Sequence, residues 1–329
     1  MIKDEVLKSF RGSNILVTGG TGLIGRQLVN ILEDSGANIK IVSLDKIRVS
    51  NCAEHIFGDL TDFNFCKEVS KDTDFVFHLA GIQGTAKTSK SKLASHFVPG
   101  MMMNINILEA CRINNVRKTL FTGTIGAYAQ AEVLKESDYR YDSPPMDFAG
   151  WAKRVAELQI YAYNVQYNLE NFSIVLPSHV YGPGDNFDPD TALVIPALIY
   201  KIFRKDDPIV VWGDGSAIRD FVFSRDVAEG MILALFHGTK SKVVNLGSGR
   251  GVSISGLVET LKSFLDFNYE FDSTKPSGCP KRIMDISLAR NSIGYNPETT
   301  LLDGLKQTWE WFVNNKDEYL KKKNYFLIT

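Results

Sequence analysis

The sequence predicts an α/β fold in which a doubly wound parallel sheet is joined to a smaller mixed α/β C-terminal lobe. Three observations carry that prediction. The first is a glycine turn set between an apolar run and a helical one, Asn14-Ile-Leu-Val-Thr-Gly-Gly-Thr-Gly-Leu-Ile-Gly25. The second is the alternation of short β-rich runs with helical spacings through the first half, the pattern of βαβ units. The third is a change of texture in the second half, where loops become frequent: Tyr181-Gly-Pro-Gly-Asp-Asn-Phe187, Trp212-Gly-Asp-Gly-Ser216 and Gly247-Ser-Gly-Arg-Gly251.

In the glycine turn, Gly19, Gly22 and Gly25 stand three apart, and each has its own task. Gly19 permits the tight turn out of the strand, Gly22 lets backbone approach a pyrophosphate, and Gly25 lets the helix pack closely on the sheet. Leu23 and Ile24 open that helix, whose free N–H groups and dipole suit a phosphate. A glycine-rich turn alone often just joins a strand to a helix. Here Ile15 to Val17 precede it, Leu28, Val29 and Leu32 follow at helical spacing, and an acid stands about twenty positions on. The stretch predicts dinucleotide binding.

Composition narrows the remaining classes. The chain has 329 residues, 44% hydrophobic and 23% charged, which suits one large domain with a smaller lobe. A formal charge of −1 gives no reason to expect nucleic acid or an anionic membrane as partner. No apolar run reaches the length of a membrane span, and Met1-Ile-Lys-Asp-Glu5 lacks a secretory apolar region. Cys52, Cys66, Cys111 and Cys279 are scattered without metal-ligand spacing, so no metal site is expected. They read as reduced, buried thiols of a cytoplasmic protein.

Residues 1–13 are polar and read as a short leading helix or arm. Ile39-Lys-Ile-Val-Ser-Leu-Asp45 is a second strand ending where a ribose-binding carboxylate should stand. A carboxylate at Asp45 accepts from the adenosine ribose hydroxyls and repels a 2′-phosphate, favouring NAD over NADP. Lys46 and Arg48 soften that preference, and an ordinary acidic loop residue is the competing reading. His55–Leu60 is a third strand, with Asp59 and Leu60 placed to flank an adenine ring. Asp74–Ala80 is a fourth; Leu79, Ala80 and Gly81 lie at its end, where the cofactor would rest. His78, inside an apolar run, reads as a core histidine.

Thr85–Ser95 reads as a loop covering the site, and Val98–Arg112 as a helix whose Met101 and Met102 belong to the core. Lys118–Thr124 is a fifth strand. Pro144 and Pro145 break the chain before a long helix, Trp151–Tyr167, and Ser173–Leu176 is a sixth strand. The order is that of a Rossmann-type sheet, whose ligands bind beyond the carboxyl ends of the strands. The expected division is 1–176 plus about 220–247 for the dinucleotide-binding part. Residues 177–219 and 248–315 form a substrate lobe, and 316–329 a tail whose charges mark a solvated helix end.

These residues resemble the extended short-chain dehydrogenase/reductases, the NAD-dependent epimerase/dehydratase family acting on nucleotide sugars. The resemblance spans nearly the whole chain and rests on Thr18–Gly25, His78-Leu-Ala80, Tyr181-Gly-Pro183 and Arg219-Asp-Phe221. Gly182–Phe187, Val194-Ile-Pro-Ala197 and Lys275–Asp285 look most like GDP-fucose synthase and its relatives, and the resemblance of the last favours a GDP-sugar over a UDP-sugar. The resemblance implies a hydroxyl at Thr124 and a lysine at Lys153 that binds the nicotinamide ribose. It further implies a tyrosine four positions before that lysine. That position holds Ala149. The fit of Gly150-Trp-Ala-Lys153 makes this a real departure: either the tyrosine was replaced by engineering to trap substrate, the favoured reading, or the chain is a natural variant that no longer does acid–base chemistry this way.

Other departures narrow the reaction. The dehydratase acid pair falls on Ile125 and Gly126, and the epimerising cysteine and histidine of GDP-fucose synthases fall on Gly126 and Gly184. What remains is redox at one sugar carbon, C4. The enzymes that oxidise or reduce C4 of GDP-manno-heptose on the way to capsule sugars are the nearest resemblance, with NAD or NADH as cofactor. Arg219 is expected at the diphosphate, Lys281 and Arg282 at the ribose or phosphate, and His179, Asn186 and Val194 along the substrate. A homodimer through the helix bearing Lys153 is implied by analogy. The competing functions are a UDP-sugar 4-epimerase and a non-catalytic NAD-binding sensor or interaction protein.

Overall fold

The computed structural model describes residues 2–82, 92–188 and 191–319. In chain order its first half runs α1 (Asp4–Lys8), β1 (Asn14–Thr18), α2 (Leu23–Glu33), β2 (Asn38–Ser43), β3 (Glu54–Phe57), α3 (Phe63–Val69) and β4 (Phe75–His78). There follow α4 (Leu93–Ile113), β5 (Lys118–Thr122), β6 (Val133–Leu134), α5 (Phe148–Tyr167), β7 (Phe172–Pro177) and β8 (His179–Tyr181). The second half adds α6 (Val194–Arg204), β9 (Ile209–Trp212), β10 (Ile218–Arg219), β11 (Phe221–Phe223), α7 (Ser224–His237) and β12 (Val243–Leu246). It ends with β13 (Val252–Ser253), α8 (Ile254–Lys262), β14 (Tyr269–Asp272), β15 (Lys281–Met284), α9 (Ser287–Ile293), α10 (Leu301–Asn314) and α11 (Lys316–Tyr319).

Seven strands form the central sheet in the order β12-β7-β5-β4-β1-β2-β3, all parallel. This is the expected doubly wound fold. The order reverses between β1 and β4, and the crevice beyond their carboxyl ends is where such sheets take ligands. β1 is buried on both faces, which explains its unbroken Ile15-Leu16-Val17. A second sheet, β13-β10-β15-β6, draws β6 from the first half of the chain against β15.

The apolar interior forms two clusters. One surrounds the central sheet and takes in Met284, Ile286, Ala289, Ile293 and Tyr295 from near the end of the chain. The other joins Phe187, Ile195, Ile199, Val211, Leu257, Leu305 and Phe312.

Some local expectations change. The helix expected over Val98–Arg112 begins five residues earlier and holds Pro99 within it. Its phase buries Met103, Ile107 and Leu108, whereas Met102 is exposed and Met101 half-buried, so Met102 is not a core residue. Of the covering loop, 85–91 lie outside the described residues, and Leu93 to Ser95 are already helical. Buried thiols hold for Cys66 and Cys111, but Cys52 is exposed. The tail beyond 319 lies outside the described residues, and its first turn is not simply solvated: Glu318 pairs with Arg26 of α2 at 2.6 Å. No described helix is long and apolar enough to cross a membrane.

Candidate active site

The glycine turn sits at the switch point, and its geometry explains each glycine. Gly19 has φ +70°, and a Cβ there would lie 2.8 Å from the Ala80 nitrogen at the end of β4. A Cβ on Gly25 would collide with the Gly19 carbonyl oxygen, so α2 can lie against the turn only without one. Gly22 is the N-cap of α2, and no side chain caps the helix there. The first N–H groups of Leu23 and Ile24 therefore have no side-chain acceptor, the arrangement that holds a phosphate.

Asp45 follows β2 at the same edge. Its Oδ2 accepts from Thr21 Oγ1 at 3.3 Å, while its Oδ1 is buried with no partner. A buried carboxylate oxygen left over beside a glycine turn fits ribose hydroxyls. Leu60 is buried and Asp59 half-buried nearby in the chain, with Asp59 Oδ1 accepting from the Thr61 nitrogen at 2.8 Å.

From here a hydrogen-bonded chain crosses the sheet. The Ala80 N–H donates to Thr18 Oγ1 at 3.3 Å, and the Thr18 hydroxyl lies 2.7 Å from His78 Nδ1. His78 Nε2 lies 3.0 Å from Asn104 Oδ1, which also accepts from Lys153 Nζ at 3.3 Å. Asn104 Nδ2 donates to the Ala152 carbonyl at 3.4 Å, so Oδ1 is the atom facing the histidine. The proton of His78 is thereby assigned to Nε2, leaving Nδ1 to accept from Thr18. Burial, then the nearby Lys153, push His78 down to about 3, so it stays neutral. His78 is a core histidine as expected, and through Asn104 it also fixes the lysine.

Lys153 sits in the second turn of α5, with Nζ 4.9 Å from the centre of the Phe121 ring. A Cβ on Gly81 would stand 3.9 Å from Nζ, so the end of β4 and the lysine share one space. Burial lowers the ammonium to about 8, against the opposing pull of Glu157. Burial pushes Glu157 up to about 7; its Oε2 accepts from Tyr139, and the buried Arg154 lies 3.5 Å away. Arg154 also donates to the carbonyls of Arg140 (2.6 Å) and Ala127, binding the 127–140 segment to α5.

Thr124 ends the β5 segment, half-buried, its Oγ1 accepting from the Gly126 nitrogen at 3.3 Å. The start of α5 is fastened to this turn. Met146 N–H donates to the Gly126 carbonyl at 2.8 Å, and a Cβ on Gly150 would collide with the same oxygen. Asp147 caps α5 by accepting from Gly150 at 2.7 Å. Ala149, on the first turn, is exposed.

At the opposite side, β10 and β15 pair in parallel with Arg219 beside Arg282. Burial and Arg282 lower Arg219, whose Nη2 donates to the Ser277 carbonyl at 3.2 Å. Arg282 Nε is buried without a partner, and neither guanidinium pairs with a carboxylate among the described residues. Burial, Arg282 and Arg219 push His179 down to about 3, and its Nδ1 is likewise buried and unpartnered. Two arginines and a neutral histidine thus lie near one another with no carboxylate paired to the guanidinium groups among the described residues, a composition that suits an anion.

Lys281 is not brought into this group. As the preceding strand residue it takes the other face, 3.8 Å from Glu132. The Asn186 side chain is committed to its own loop, donating to Thr191 and accepting from the Asp188 nitrogen. Val194 opens α6 and packs against the second cluster.

Residues 15–247 match the NAD dependent epimerase/dehydratase family. The chain belongs to that family. It is 29% identical to GDP-L-fucose synthase 1 of Arabidopsis thaliana over 318 residues, covering 93% of this chain and 95% of that one. It is 31% identical over 312 residues to a putative UDP-glucose 4-epimerase of Methanocaldococcus jannaschii, covering 92% and 99%. Among solved structures, the UDP-glucose 4-epimerase of Thermotoga maritima with UDP-glucose superposes with a TM-score of 0.79 at 26% identity, covering 92% and 99%. For a family so described, NAD is the cofactor, and the unpartnered Asp45 oxygen and uncapped α2 fit it. Asn104, Asp147 and the Arg154–Glu157–Tyr139 group are the site's supports that motif reading passed over.

Proposed function

We propose that this family member is an NAD-dependent oxidoreductase acting at C4 of a GDP-sugar, as a GDP-manno-heptose 4-dehydrogenase or 4-ketoreductase. The observation that carries the reading is the Arg219–Arg282 pair with its unpartnered Nε, an anion site in the same chain as an anchored Lys153. The Lys275–Asp285 stretch and the Arabidopsis relative support the GDP-sugar.

The turn Gly19–Gly25 would hold the pyrophosphate, Asp45 the adenosine ribose, and Lys153 the nicotinamide ribose. NAD, when bound, supplies the hydride acceptor. Thr124 orients the sugar hydroxyl, and Arg219 with Arg282 holds the diphosphate. Residues 1–176 with 220–247 make the cofactor part and the remainder to 315 the sugar lobe, in a cytoplasmic enzyme. An exposed apolar strip supports a homodimer through α5: Trp151, Leu158, Tyr161 and Val165 on α5, with Val98 and Met102 on α4.

If Ala149 is a lost tyrosine, Ala149→Tyr raises turnover by about 10²–10⁴. No gain in NADH formation with GDP-mannose or a GDP-heptose would remove that reading of the position. The relative from Methanocaldococcus and the Thermotoga structure favour a second function, a UDP-sugar 4-epimerase. Released ketosugar with net NADH supports the dehydrogenase, and an inverted product without net NADH supports the epimerase.

A further inference from the structure

Ala149 leaves the first turn of α5 without a phenol, but a carboxylate stands close by. Asp147 stands two residues earlier and is exposed. Its carboxylate lies over Gly126: a Cβ on that glycine would be 3.0 Å from Oδ1 and 3.1 Å from Oδ2. Gly126 in turn donates its N–H to Thr124 Oγ1 at 3.3 Å, so the carboxylate and the hydroxyl proposed to orient the sugar have Gly126 as a common neighbour. Oδ1 is held by the Gly150 nitrogen at 2.7 Å, while no described group donates to Oδ2.

The placement is rigid. Met146 beside it is bonded to the Gly126 carbonyl at 2.8 Å, and Gly150 packs on the same oxygen. The other ionisable groups are differently committed. Glu157 is fully buried and held by Tyr139 and Arg154. Lys153 is a cation tied to Asn104, and His179 belongs to the arginine pair.

We infer that Asp147 is a catalytic residue, the general base that takes the proton from the sugar O4 hydroxyl. The inference rests on the C4 oxidoreductase reading. In the oxidation the O4–H bond breaks and its proton passes to Asp147 Oδ2. The C4–H pair leaves as hydride to the oxidised nicotinamide dinucleotide, and the C4–O bond becomes a carbonyl. Reduction runs the same transfers backwards. A side chain at Gly126 would press on the carboxylate, which lies 3.0–3.3 Å from where its Cβ would stand.

The test uses the full chain with NAD and, as probe sugars, GDP-mannose and UDP-glucose. Asp147→Asn keeps an oxygen to cap α5, so melting temperature and sugar-nucleotide binding by calorimetry are expected to hold while turnover falls by about 10²–10⁴. Adding Ala149→Tyr to Asp147→Asn is expected to restore turnover, since a phenol then stands on the first turn of α5. The Asp147 carboxyl carbon resonance, assigned by its loss in Asp147→Asn, is expected to shift when the bound sugar joins the NAD-loaded protein.

A variant Asp147→Asn that turns over at the unaltered rate overturns the inference. So does a double variant as inactive as Asp147→Asn, which would make the carboxylate merely architectural. Failure of the functional reading looks different. If the unaltered protein binds neither sugar nucleotide, both fall; if it binds only UDP-glucose, the GDP assignment falls and the same variants on UDP-glucose decide Asp147.

Discussion

At the cofactor end, Gly19, Gly22 and Gly25 lie within one turn, and what they contribute is backbone. At the sugar end, Thr124, Asp147 and Lys153, His179, Arg219 and Arg282 come from five different places in the chain, Asp147 and Lys153 sharing α5, and what they contribute is side chains. The two ends therefore tolerate change differently. A Cβ on Gly25 meets a carbonyl oxygen that cannot move without moving β1 or α2. A changed arginine at the far end removes one partner from a group and leaves the rest in place. The cofactor end works all-or-none, and the sugar end can be tuned.

The most severe test of that contrast is Gly25→Val. Its branched side chain would lie against the Gly19 oxygen and 2.7 Å from Gly20 Cα, so NAD binding by calorimetry should disappear. Stability measured by urea unfolding should drop by about 3 kcal/mol. A variant that still binds NAD would show that the turn can relax, and the contrast would fail. Next in size, Arg282→Leu should weaken GDP-mannose by about 10- to 100-fold, the loss expected for a charge-assisted hydrogen bond, and leave NAD affinity unchanged. An equal loss for both ligands would mean that the two ends are coupled.

The smallest effect concerns Lys153. Because burial favours its neutral form, the ammonium is present below about 8 and fades as pH rises through that value. NAD affinity should then fall about tenfold between about pH 7 and about pH 9, and Lys153→Met should be flat over that range. The same profile in both proteins would place the titration elsewhere.

The contrast also explains what could be read from the chain. Gly19–Gly25 and Asp45 announce themselves because their task is local, fixed by a strand, a turn and a helix close in sequence. The sheet order follows from the same alternation. Lys153 was legible only by its neighbours Gly150-Trp-Ala, and its acceptor Asn104 was hidden among Met101, Met102, Met103 and Ile105. Two asparagines inside that apolar helix, Asn104 and Asn106, were the available signal, since a buried amide needs a partner.

Asp147 was equally readable in principle, as an acid immediately before a helix, which is an N-cap signature. Its position over Gly126 is tertiary and was not. Lys281 and Arg282 stood together in sequence, but a strand sends neighbours to opposite faces, so only Arg282 joins Arg219. Asn186 shows the reverse limit: its amide suits a sugar, yet the loop uses it first.

Arg26 adds a matter of timing. It lies on the helix that follows the glycine turn, stacked over Trp311 at 4.9 Å and paired with Glu318, which stands 292 positions later. At ribosomal speeds of roughly 5–20 residues per second, about 15–60 s separate the two in a growing chain. Throughout that interval the guanidinium has neither its ring nor its carboxylate. The nascent protein can form the glycine turn almost at once, but the helix behind it is fully seated only when the last helices emerge. The seating of that helix thus waits on a segment made long after it.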